Sequence, residues 1–147
     1  MDTNKIYLVQ TDTTVGFLSN DDTKLSLIKK RPQNQKILQT LDSFSTLKRK
    51  TRVPNLHKKL VRKAKKTTFI YPNGDSFRVV NKASHHHHFI EKFQSIYSTS
   101  ANETTKNFDF DFAFEKADIV VFSKDDFYEQ SGSSIIKLTQ FRKKKIR

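Results

Sequence analysis

Between Lys29 and Lys66 the chain places 14 lysines and arginines against a single acid, Asp42. The whole sequence has 28 basic and 15 acidic residues and a formal charge of +13. The rest of the chain is therefore balanced, and the excess sits in about one quarter of it. Charge this localised points to an anionic partner held at a defined place. It also restricts how the segment packs. Leu56, Leu60 and Val61 fall at helical spacing, so Lys58, Lys59, Arg62 and Lys63 must face out.

At 147 residues the length predicts one domain, 1–147, large enough to bury a core. Only 35% of residues are hydrophobic, but 13 Phe and 4 Tyr supply bulky apolar area. With 29% charged residues, 3 Gly and 3 Pro, the chain is neither collagen-like nor loosely disordered. The lack of cysteine excludes disulfides, thiolate catalysis and cysteine-based zinc sites together. The start, Met-Asp-Thr-Asn-Lys, has no apolar signal region, and no apolar run approaches the ~20 residues of a membrane span. The expectation is a soluble, cytoplasmic protein with no membrane partner.

Strand and helix signals alternate. Lys5–Gln10 and Val15–Leu18 read as strands, separated by the polar Thr11-Asp12-Thr13-Thr14. Asn20-Asp21-Asp22 starts a short helix with Leu25, Leu27 and Ile28 on its apolar stripe. Pro32 places Lys29-Lys30-Arg31 at its end. Lys36–Leu41 reads as a strand, and helices follow from Ser43 and from Pro54-Asn55. Thr67–Tyr71 and Ser76–Val80 flank a Pro-Asn-Gly-Asp turn and predict a hairpin. His85–Phe93 reads as helix and Ser95–Ser100 as strand. Phe108–Lys116, which alternates Phe with acids, reads as helix. Asp118–Phe122 and Ser134–Leu138 are strands, and Phe141–Arg147 is a last strand or a basic tail. No repeat and no linker stands out. The pattern is α/β, with a mixed sheet and flanking helices.

Common catalytic signatures are absent: no Gly-rich phosphate loop, no His-Glu-x-x-His, no Gly-x-Ser-x-Gly. Four polar clusters remain, each beside a strand: Thr11–Thr14, Lys29–Lys36, Ser98–Asn102 and Gly132–Ser134. Open α/β sheets bind ligands at strand ends. Taken singly, each cluster is also an ordinary loop, since Ser, Thr and Asn are turn residues.

In order, the clusters resemble the YrdC/YciO family, whose enzyme members are threonylcarbamoyl-AMP synthases. Gln10-Thr11-Asp12-Thr13-Thr14-Val15-Gly16-Phe17 is similar to that family's Pro-Thr-Asp-Thr-x-Tyr-Gly-Leu. Lys29-Lys30-Arg31-Pro32 resembles its Lys-Gly-Arg-Pro, with Lys36-Ile37-Leu38 following. Ala64–Pro72 looks like its Pro-Gly-Pro-x-Thr strand, and Arg78 matches the Arg of a Val-Arg-hydrophobic-Pro strand. Thr99-Ser100-Ala101-Asn102 is unchanged from its Thr-Ser-Ala-Asn. Ser133-Ser134-Ile135-Ile136-Lys137-Leu138 looks like Ser-Thr-Ile-Val-Asp-Leu, and Arg147 falls where the family has a further Arg. The resemblance spans residues 5–147.

The resemblance implies a twisted, open, mixed parallel and antiparallel sheet with a positively charged concave cavity. It implies ATP, L-threonine and bicarbonate as substrates, usually with Mg²⁺, and threonylcarbamoyl-AMP as product for modification of a tRNA adenosine. Lys29 and Arg31 are then the catalytic cations. Two apart on an extended segment, they share a side and oppose the charge of the departing pyrophosphate. Lys36, Ser100, Asn102 and Arg147 join them on the nucleotide. Thr13, Arg78 and Ser134 hold threonine, with Arg78 as a bidentate fork on its carboxylate. No protein metal site is expected.

The chain also departs from the pattern. Gln10 and Val15 replace Pro and Tyr, Lys65-Lys66 replace Gly-Pro, Glu103-Thr104-Thr105 follow Asn102, and Lys137 replaces Asp. An alternative therefore stays open: a protein that binds tRNA, double-stranded RNA or nucleotide without chemistry, or that partners other tRNA-modification proteins. Three features have plain readings. His85–His88 reads as a solvated helix start rather than a metal site, Lys143–Lys145 equally as a nucleic-acid contact or a solvated strand edge, and the Phe108–Phe114 alternation as core packing rather than a stacking platform for bases.

Overall fold

A computed structural model describes residues 2–147. Among the described residues the chain is α/β, with nine strands in mixed parallel and antiparallel pairing and five α-helices. It divides into two compact units, residues 1–37 with 96–132 and residues 38–95 with 133–147.

In the first unit β1 (Tyr7–Gln10) and β2 (Val15–Ser19) form an antiparallel hairpin. Its register puts Leu8 opposite Phe17, and both are fully buried. Helix α1 (Asp22–Ile28) follows, started by the Asp21 carboxylate, which accepts from Lys24 N at 3.1 Å. The chain leaves this unit and returns as β6 (Ser95–Ser100), antiparallel to β2. Helix α5 (Phe110–Lys116) and the short β7 (Ile119–Val120), parallel to β1, complete it. Ile6, Leu8, Val15, Phe17, Leu25 and Ala113 form the buried centre.

The strand expected over Asp118–Phe122 shortens to two residues. Its Asp118 carboxylate is spent accepting from Ile6 N at 2.9 Å, and Phe122 turns out to solvent, 73% exposed. As the last strand of this ladder, β7 pairs on one side alone, with β1.

The second unit takes β3 (Gln39–Leu41), α2 (Phe44–Lys50), a 3₁₀ turn at Asn55–His57, α3 (Lys58–Lys63), β4 (Thr67–Ile70), β5 (Ser76–Val79) and α4 (His85–Ile90). It closes with β8 (Ser134–Leu138) and β9 (Lys143–Lys145). Its strands run in the order β3-β5-β4-β8-β9, with β3–β5 and β4–β8 parallel. The predicted hairpin is present: Gly74 adopts φ 87, and Tyr71 N donates to Asp75 O at 2.8 Å. The strand expected from Lys36 begins only at Gln39. Leu41, Leu47, Val61, Phe69, Tyr71, Phe77 and Leu138 make the core.

Ser43 caps α2 and Ser84 caps α4. The four histidines do not form a solvated start. One residue per 100° of helix separates them, so His86 and His87 are buried while His85 and His88 are exposed. His87 Nε2 lies 3.0 Å from the Asp42 carbonyl, and the His86 ring stacks on Phe89. Period-two phenylalanines on a helix likewise split between faces. Phe112 meets Phe17 edge-on inside, while Phe110 and Phe114 stack on each other outside. Core packing accounts for half of that alternation only.

Gly16 is required by space rather than by dihedral angle. A Cβ there would lie 2.9 Å from Thr11 Cγ2 and 3.3 Å from the Thr99 carbonyl. Thr11 is pinned by its own hydrogen bonds, so the clash has no easy relief. Gly16→Ala is expected to cost about 1–3 kcal/mol, read as a lower urea midpoint; an unchanged midpoint would show that the Thr11 turn gives way freely.

Candidate functional site

The site in the first unit begins where α1 ends. Lys29 takes the C-cap with α-helical angles, and Lys30 follows at φ 52. Lys30 N donates to Leu27 O and Arg31 N to Ser26 O, the paired bonds of a Schellman turn. Lys29 and Arg31 are therefore not two apart on an extended strand. A left-handed residue between them re-aims the chain, and Pro32 then blocks any return to helix. This position carries glycine in the pattern the sequence resembles, because only glycine reaches such angles without cost.

The turn delivers Lys29 inward, where it is 2% exposed. Its Nζ donates to the carbonyls of Ser100 (3.0 Å) and Asn102 (2.5 Å), and to Asn102 Oδ1 (3.0 Å). A longer contact reaches Ser100 Oγ at 3.4 Å. All these acceptors are neutral. Burial first, and the Arg31 charge second, lower its pKa to about 8. Arg31 is half-buried, and burial lowers its pKa too. Its guanidinium makes no hydrogen bond or ion pair among the described residues. Neither of these two neighbouring, partly desolvated cations has a carboxylate partner among the described residues. A buried charge is normally paired, so the pair is short of an anion.

The Ser100–Lys106 loop closes over this turn. Thr104 Oγ1 donates to the Lys29 carbonyl at 2.6 Å, and Asn102 Nδ2 to the Lys106 carbonyl. Ala101, 1% exposed, donates its N–H to Val15 O, which ties the loop to β2. Beside it, Thr11 Oγ1 accepts from the N–H groups of Thr13 and Thr14, both at 3.1 Å, and lies 3.3 Å from Thr13 Oγ1. Thr13 is 4% exposed.

Of the nine residues singled out from the sequence, Thr13, Lys29, Arg31, Lys36, Ser100 and Asn102 lie in this unit. Lys29, Ser100 and Asn102 are in direct contact and Arg31 adjoins them. Lys36 is exposed, in the stretch before β3. Arg78, Ser134 and Arg147 lie in the second unit. Arg78 is on β5 and 3% exposed. Ser134 opens β8, donating its N–H to Lys66 O. Arg147 gives both Nε and Nη2 to the Ser133 carbonyl, at 2.9 and 2.7 Å. Thr68, buried and joined by a 2.7 Å hydroxyl contact to Ser133 of the Gly132–Ser134 cluster, was not given a role, nor was Thr104. Small hydroxyl residues at strand ends give no sequence signal apart from turns. No group of three or more His, Cys, Asp or Glu suited to a metal gathers among the described residues.

No protein-family model matches the chain, and no curated protein matches it. Solved structures do. P. abyssi Sua5, described as complexed with L-threonine, superposes with a TM-score of 0.75 over 97% of this chain and 50% of its own, at 18% identity. E. coli YciO gives a TM-score of 0.76 over 98% of this chain and 82% of its own, at 13% identity. HypF, in a form described as phosphate- and nucleotide-bound, gives 0.72 over 97% and 26%, at 18% identity. This chain has the Sua5/YrdC/YciO fold. It spans about half the length of the P. abyssi Sua5 chain. No helix among the described residues is long and apolar enough to cross a membrane.

The left-handed lysine is a local test of the turn. Lys30→Gly removes a side-chain clash worth roughly 1 kcal/mol and is expected to raise the thermal midpoint by a few degrees; a lower midpoint would mean that Lys30 contributes a contact that outweighs its strain.

Proposed function

We propose that the chain binds a polyphosphate nucleotide at the Lys29–Arg31 turn and acts as a threonylcarbamoyl-AMP synthase of the Sua5/YrdC kind. The observation that carries this reading is the pair of adjacent, partly desolvated cations with no carboxylate partner. In that environment a triphosphate supplies the missing charge, and each cation acts with little screening by water. The fold it shares with a Sua5 described as holding L-threonine supports the amino-acid half of the reading, as does the HypF described as nucleotide-bound for the other half.

In this mechanism the amine of L-threonine adds to bicarbonate with loss of water, giving an N-carboxylate. That carboxylate oxygen attacks the α-phosphorus of ATP, and the bond to the β-phosphate oxygen breaks. Pyrophosphate leaves with the electron pair. Arg31, whose donors are uncommitted, takes the β- and γ-phosphate oxygens. Lys29 stays on Ser100 and Asn102 and stabilises the leaving group through its charge. In this reading Thr13 takes polar groups of the amino acid, and exposed Lys36 adds positive charge. Mg²⁺ comes with the phosphates of ATP, the usual way this ion binds. The product serves modification of a tRNA adenosine.

A second reading is favoured by one contact set: the Lys29 ammonium already gives its protons to protein oxygens. A chain so committed holds nucleotide without turning it over. The two readings separate in one assay. With ATP, threonine and bicarbonate, a synthase releases pyrophosphate in a threonine-dependent way, and Arg31→Ala lowers that release by at least about 10²-fold. Binding of ATP without such release identifies the second reading, and neither binding nor release overturns both. Affinity for ATP measured alone is expected to fall roughly tenfold per pH unit above pH 8, as Lys29 loses its proton. A flat profile to pH 10 would remove Lys29 from the binding site.

A further inference from the structure

Two surfaces that contain none of the residues of the Lys29 turn are left unexplained, and they are opposite in chemistry. The first belongs to the first unit. Phe110 and Phe114, one turn apart on α5, stack at 5.6 Å between centroids, and Phe127 bridges Phe110 to Phe122, each at 6.1 Å. Phe110, Phe114 and Phe122 are 44%, 50% and 73% exposed. Next to these phenylalanines in the chain come Asp111, Glu115, Asp125 and Asp126, all exposed and none in an ion pair among the described residues. Residues 103–129 hold eight acids and three lysines. This is an exposed aromatic patch in an acidic stretch of chain.

The second lies wholly within the second unit. A cavity of about 350 Å³ opens between α2, the Thr51–Asn55 turn and α3. Phe44, Leu47, Val53 and Val61 provide its apolar lining, and Lys48, Arg52, Lys58 and Arg62 its polar edge. These four cations are exposed and unpaired with any acid among the described residues. Between Lys48 and Lys66 there are ten lysines and arginines and no acid. This is an apolar hole inside a basic ring.

From this complementarity we infer that the acidic aromatic patch of one copy docks into the basic cavity of a second copy, a head-to-tail contact between different surfaces. Exposed aromatic clusters of this kind mark interaction sites, and aromatic anchors in a pocket with charges at the rim are how such contacts derive affinity and register. A nucleic acid satisfies less of the picture. Phosphates need the cations but leave the aliphatic lining unfilled, and they give the exposed phenylalanines of the first unit no partner. The net charge of +13 opposes self-association at long range. At physiological salt that repulsion is screened beyond about 8 Å, while the paired patches meet at contact distance. Because the two surfaces differ, each docked pair leaves one of each free, so association continues past the dimer unless a ring closes.

Sedimentation velocity on the full chain tests this, with Phe114→Lys to spoil the patch and Arg62→Glu to spoil the cavity. Both positions are exposed, and circular dichroism checks that the variants fold. Wild type should associate with rising concentration, and each variant alone should associate at least about tenfold more weakly. Mixing the two variants should give a 1:1 complex that grows no further, since each supplies the one surface the other lacks. Wild type that stays monomeric, variants that associate like wild type, or a mixture that forms no complex overturns the inference. So does a monomeric wild type whose cavity lysines bind a labelled oligonucleotide in an Arg62-dependent way; the cavity then serves nucleic acid.

Discussion

The Lys29 ammonium, buried against the oxygens of Ser100 and Asn102, is the contact around which the first unit closes. Its partners lie more than 70 residues along the chain. A buried lysine is costly unless its hydrogen-bond capacity is met, and here neutral oxygens meet that capacity but leave the charge. The lowered pKa, near 8, records the cost. Such a charge is tolerated where something anionic arrives, and Arg31 next to it repeats the invitation with its donors uncommitted. The hydrogen bonds hold the loop in place, and in the proposed function the uncompensated charge is what attracts the phosphates.

Reaching that arrangement takes three local devices. Lys30 accepts left-handed angles so that the chain can leave α1, Pro32 blocks a return to helix, and Gly16 leaves room for Thr11 to sit against β2. The Thr11 turn and the Ser100 loop then flank β2 at its start, one through the hairpin and one through the Ala101–Val15 bond. Each device is worth about a kilocalorie or a few. Their combined effect is to fix where two cations point.

Much of this could be read from the residues alone. The hairpin around Gly74 and the helix ends at Asp21 and Pro32 follow from turn chemistry, and the pairing of Lys29–Arg31 with Ser100–Asn102 follows from the family resemblance. What could not be read has physical reasons. A lysine at φ 52 has no sequence signature, so the Lys29–Arg31 stretch looked extended. Asp118–Phe122 has strand chemistry throughout, but its ladder ends once Asp118 caps Ile6 and Phe122 leaves for solvent. His86 and His87 are buried because helix geometry turns adjacent residues to different faces. The division into two units leaves no linker in the sequence because each unit is built from separate segments, with crossings near residues 37, 95 and 132. The basic run and the acidic, Phe-rich stretch are both plain in the sequence, whereas the cavity and the ring cluster that they frame appear only in three dimensions.

The most direct test of the central claim is the titration of the Lys29 side chain itself, followed by NMR in the free protein and with pyrophosphate. The account predicts a pKa near 8 in the free state and a clear rise when the anion binds, because the missing counter-charge then stabilises the ammonium. A pKa near 10 that does not move with pyrophosphate would contradict it, since Lys29 would then be an ordinary solvated lysine and the turn would have no unmet charge to offer.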